Sequence, residues 1–108
     1  MAEQPHDAPM STFRPLGLGV RTGQVPINVG WPFPGEFSIY REGLMFRLLG
    51  HKTWIPRRDI RAILRGPGLV RILWSSQGVD SSATVSDWFR IAKIVAAIKL
   101  AGYRIDES

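Results

Sequence analysis

Cysteine is absent from all 108 residues. That excludes disulfides, thiolate nucleophiles and zinc–thiolate sites. Histidine occurs only as His6 and His51, in unrelated segments. A metal site needs several converging ligands, so no metal is expected. No apolar run approaches the ~20 residues that cross a bilayer, and the opening residues lack the basic-then-apolar order of a signal peptide. The expected location is the cytoplasm, with the inner face of the membrane as an alternative station. Acidic residues are few, nine against fourteen Lys and Arg, which leaves a net charge of +5. Such a balance favours anionic partners: nucleic acid, acidic protein or a lipid surface. Eleven of the fourteen basic residues are arginine, a bias that base composition alone also produces.

Groups suited to bond-making are scarce as well. General acid–base chemistry usually needs histidine or paired carboxylates in a cleft. His51 stands in the turn Gly50-His-Lys52, and Asp59 follows two arginines in a polar corner. Ser75, Ser76, Ser81 and Ser82 fall at turns and strand ends with no base nearby. Gly17, Gly19 and Gly23 miss the dinucleotide-binding spacing by one residue, with no strand before them and no helix after. The expectation is a non-enzyme without cofactor, metal or small-molecule substrate.

What is present begins with one helix. Over 86–101, Trp88, Ile91, Ala92, Val95 and Ile98 recur at helical spacing, with Arg90, Lys93 and Ala97 opposite. Thr84 and Asp87 have capping-box spacing, Ser86 is a second N-cap candidate, and Gly102 is placed to end the helix. A buried Trp88 makes Trp88→Asp an unfolding substitution. The remaining chain reads as short strands. Val25–Val29 is an edge strand, because Pro26 is tolerated only there. Trp31-Pro-Phe-Pro-Gly35 is a stiff crossing that covers an end of the sheet. Phe37–Tyr40 and Leu44–Leu48 form a hairpin about Arg41–Gly43, with Phe37, Ile39, Leu44, Phe46 and Leu48 inward. Lys52–Ile55, Ile60–Leu64, Leu69–Trp74 and Val79–Ala83 follow, parted by turn signals such as Gly66-Pro-Gly68. A single helical turn at the start of the Ile60 strand is a further option. Residues 1–24 are expected to be a flexible segment, its glycine-rich part laid over a barrel, and residues 25–105 the domain.

This order is α+β with an antiparallel sheet. With Asn28-Val-Gly-Trp-Pro-Phe33, Phe37-Ser-Ile-Tyr-Arg-Glu-Gly-Leu44, Trp54-Ile-Pro-Arg-Arg-Asp-Ile60 and Val70-Arg-Ile-Leu-Trp74, it resembles the small bacterial pleckstrin-homology-like (PH-like) domain. The resemblance spans roughly residues 25–105 and rests on structural residues. It implies a partly open antiparallel barrel of six to seven strands, closed by one C-terminal capping helix. Some PH domains hold phosphoinositides through a Lys/Arg cluster on the first hairpin. This hairpin carries Arg41 and Arg47 but lacks their basic-x-Arg pair.

Eight basic residues lie between Arg41 and Arg71, offset only by Glu42 and Asp59. Strand alternation sends Arg61, Arg65 and Arg71 outward, over a core of Ala62, Leu64, Val70 and Ile72. Arg47, Lys52, Arg57, Arg58 and Arg61 are the candidate anion- or lipid-binding residues. The alternative is a solvated face that blocks edge pairing. Trp54 and Trp74 fit the core better than a base-stacking platform. A protein partner, in an interaction or assembly module, is the first expectation for function. Attachment to anionic lipid is the second, and nucleic-acid backbone binding the third and least favoured.

Overall fold

A computed structural model describes residues 8–22, 25–30, 35–48 and 50–107. His6 and the Trp31–Pro34 part of the expected crossing lie outside the described residues. Among these residues ten strands and one helix follow in order. They are β1 (Ser11–Phe13), β2 (Gly17–Thr22), β3 (Val25–Gly30), β4 (Gly35–Ile39), β5 (Gly43–Leu48) and β6 (His51–Pro56), then β7 (Ile60–Gly66), β8 (Leu69–Ser76), β9 (Val79–Ser86), helix α1 (Ile91–Leu100) and β10 (Asp106–Glu107). A 3₁₀ turn, Arg57–Asp59, joins β6 to β7. This is the helical turn allowed for at the start of the Ile60 strand.

The strands form two sheets, not a closed barrel, among the described residues. One runs β1-β4-β5-β6 and the other β10-β7-β8-β9-β2-β3. All pairings are antiparallel except β10 with β7. Seven strands correspond to those expected; β1, β2 and β10 are additional. β3 sits at a sheet edge, as Pro26 requires. The glycine-rich stretch is no covering segment: β2 lies inside the larger sheet, between β3 and β9. Its alternation is Leu18 and Val20 inward, and glycines between them hide that signal.

Alternation built the core. Phe37, Ile39, Leu44, Phe46 and Leu48 are all buried, and Phe37 stacks on Phe46 with ring centroids 4.9 Å apart. Val70, Ile72, Trp74, Ala83, Val85 and Ile63 line the larger sheet, and α1 adds Ile91, Ile94, Val95 and Ile98 to the same cluster. Trp74 is thus core, whereas Trp54 is half-buried edge-to-face against Tyr40. Gly43 does not take a positive φ. Its need is close approach, since a Cβ there would stand 2.3 Å from the Ile55 carbonyl oxygen.

Two phases differ from the sequence reading, each for a local reason. In β7 a register shift falls between Ile60 and Ala62. A bulge adds one residue, and every later side chain changes face. Ile63 and Arg65 therefore stand opposite Ile72 and Val70, while Leu64 stands opposite the outward Arg71. Arg65 is on the core-facing side of the strand and Leu64 is not, the reverse of the expected assignment. At the helix, β9 continues to Ser86, and the Asp87 N–H extends the ladder to the Gly68 carbonyl at 2.9 Å. The buried Asp87 carboxylate then accepts from the backbone N–H groups of Phe89 and Arg90, each at 3.1 Å. That turn precedes the helix, which starts only at Ile91 with Arg90 as its N-cap, and Trp88 is left 73% exposed. Ile94, not Trp88 or Ala92, completes the buried face. The burial on which Trp88→Asp was expected to unfold the chain is therefore absent.

Candidate functional site

The five basic candidates separate into two groups. Arg47 and Lys52 face each other across β5 and β6, both exposed, with Glu36 next to Arg47 on β4. Glu36 lies 3.9 Å from Arg47 and 3.2 Å from Arg14. One carboxylate thus partly neutralises this row, and exposed pairs of this sort contribute ~0–1 kcal/mol. Arg57 and Arg58 sit beyond the other end of β6, roughly 15 Å from Lys52 at the usual rise per strand residue. Arg61 projects from the bulge of β7 and is exposed, as is Arg58.

Arg57 is built into the fold. Its guanidinium donates to the carbonyl oxygens of Arg41 at 3.0 Å, Ala101 at 3.2 Å and Gly102. It also lies over the Tyr103 ring, 4.3 Å from the centroid. A cation at a helix C-terminus satisfies carbonyls that the helix leaves open and complements its dipole. Gly102, at φ +95°, makes this possible. Its N–H bonds to the Lys99 carbonyl and that of Tyr103 to the Ile98 carbonyl, the paired closure of a left-handed helix stop. Tyr103 is buried and donates from its hydroxyl to the Tyr40 carbonyl at 2.7 Å. Burial pushes its pKa up to about 12; Arg57 opposes the rise and Glu42 adds to it.

Between β7 and the segment after α1 lies a groove of about 450 Å³. Ile60, Ala62 and Ile63 line its apolar side, and Arg57, Arg61 and Arg104 its basic side. Asp106 is its one carboxylate among the described residues, 3.2 Å from Arg104. The sequence reading found Arg57 and Arg61 but not Tyr103, Arg104 or Asp106. Nothing local marks those three; the return of the chain after Gly102 brings them in. The groove suits an anionic or extended ligand. Its tyrosine stays protonated through neutral pH and its carboxylate is exposed and paired. His51 lies at the start of β6, away from it. No three His, Asp or Glu side chains converge among the described residues.

A second surface was missed altogether. Trp88 is 73% and Phe89 88% exposed, and no other aromatic side chain among the described residues is exposed. Trp88 lies across Gly68, where a Cβ would stand 2.6 Å from its ring. Asp87 fixes the pair in place: Arg90 closes on its second oxygen at 2.9 Å and reaches the Arg14 carbonyl. The available signal was Asp87 as an Asx-turn residue, its side chain taking the N–H groups two and three residues on. Beyond the pair, the exposed side of α1 carries Ala92, Lys93, Ala96, Lys99 and Leu100, and the helix contains no acid.

No known protein-family model matches the chain, and no curated protein matches it.

Proposed function

We propose that the chain is a non-enzymatic binding module of the PH-like kind, docking a protein partner or joining an assembly in the cytoplasm. Two sheets of mostly antiparallel strands followed by one C-terminal helix agree with that family's element order. The observation that carries the function is the Trp88–Phe89 ridge. Adjacent exposed aromatics on a rigid turn are the kind of anchor that dominates protein interfaces. The test replaces Phe89 with a photo-crosslinking amino acid in the native host. One or a few proteins should be captured, and Trp88→Ala should abolish the capture. Capture of lipid alone, or of nothing, contradicts the reading. So does turnover of any substrate that a single groove substitution removes.

A second reading, attachment to anionic membrane, has its own support in the ridge's continuation along Lys93, Lys99 and Leu100. Aromatic rings and lysines together suit a headgroup layer. Sedimentation with acidic but not neutral liposomes, lost in Lys93→Glu/Lys99→Glu, would favour it. The same loss in Arg57→Glu/Arg58→Glu is not expected, because Arg57 is occupied by carbonyls. No sedimentation at low salt removes this reading.

A further inference from the structure

The larger sheet has two outer strands. β3 carries Pro26, which removes a backbone donor and blunts that edge. At the other side, β7 is matched only at Leu64 and Arg65, by Asp106 and Glu107 of β10. Ile60 to Ile63 have no strand partner on that side among the described residues, and they border the groove. A strand edge beside a basic groove is a place where an extended segment can add by main-chain hydrogen bonds.

The chain itself supplies a guide to what fits. β10 is a two-residue strand, parallel to β7, and its first residue is a carboxylate beside Arg104. Parallel pairing is somewhat weaker per residue than antiparallel pairing, and two residues make few bonds. We infer that the β7 edge is a strand-addition site for an extended acidic segment of a partner protein, which displaces β10 to bind. Arg61 and Arg104 at the groove meet the acidic side chains, and the half-buried Ile60 and Ala62 on its apolar side take the alternate ones. The bulge next to Arg61 interrupts the edge at Ile60, so pairing starts from Ala62 and the register is fixed. This site lies at the end of α1 away from the ridge, roughly 15 Å along a ten-residue helix. It goes beyond the ridge reading and does not require it: a scaffold needs two surfaces, and this is the second.

The probe is an acetylated, amidated hexapeptide, Val-Asp-Val-Glu-Val-Asp, titrated into the full ¹⁵N-labelled chain, with a Lys-for-acid peptide alongside. Amides of residues 60–66 and 104–107 should shift, and those of the β7 edge should exchange more slowly with solvent. Arg61→Glu/Arg104→Glu, at two exposed positions, should weaken binding about fivefold or more, the effect of two rim charge pairs. Asp106→Pro, which disrupts β10, should tighten it about threefold, since the competing strand is gone. Trp88→Ala/Phe89→Ala should leave it unchanged, so failure of the ridge and failure of this site are told apart. Equal binding of the Lys peptide, shifts confined to residues 88–100, no shifts at all, or an Asp106→Pro variant no tighter than the parent would overturn the proposal.

Discussion

Arg57 shows how far a residue's role departs from its charge. As sequence, it is one of eight cations in thirty-one residues and reads as part of an anion-binding face. In the fold, its donors meet three carbonyl oxygens and its plane covers Tyr103. Arg57→Ala should lower unfolding free energy by about 1–3 kcal/mol in urea titration, as expected for charge-assisted bonds at a partly exposed site. Arg57→Lys should recover less than half, since an ammonium has no planar fork. Tyr103 adds a pH signature. Its pKa is near 10 unfolded and about 12 in the fold, so the folded state favours the protonated phenol. That contribution is fully present below pH 10 and is lost as pH climbs toward about 12. The urea midpoint should fall across this window, and Tyr103→Phe should flatten the fall. A variant that keeps the parent's slope would show that another group titrates.

At the scale of elements, the legible parts were those whose alternation nothing interrupts. The β4–β5 hairpin could be read residue by residue because Phe37, Ile39, Leu44, Phe46 and Leu48 alternate around a short turn. β7 could not, because a bulge is set by pairing with β8 and leaves no mark in apolar spacing. β2 was hidden by glycines that alternate with Leu18 and Val20. The helix was placed correctly from Ile91 onward, but its start was not: Trp88 continues the helical period while Asp87 ends the strand and caps two N–H groups. The groove was the least legible feature, since Tyr103, Arg104 and Asp106 reach it only through the chain reversal at Gly102. Two substitutions separate these elements. Ile94→Asp buries a carboxylate at a site with no exposure and should abolish cooperative unfolding by circular dichroism. Gly43→Ala drives a Cβ against the Ile55 carbonyl and the Trp54 ring, and should cost more than about 2 kcal/mol in the same urea assay.

Across the whole molecule, charge and apolar surface have exchanged the roles that the sequence suggested. The arginine richest in contacts stitches a helix end to a hairpin, while Trp88, which fits a core pattern, stands in solvent beside Phe89. The ridge and the β7 edge lie at opposite ends of α1, the placement on which the proposed pair of binding surfaces depends. The most direct check on this account is the unfolding free energy of the Trp88→Ala/Phe89→Ala variant in urea. A loss within about 1 kcal/mol, the range of surface substitutions with modest packing, is expected. A loss of about 3 kcal/mol or more, the scale of an aromatic removed from a core, would mean that the pair supports the fold and awaits no partner.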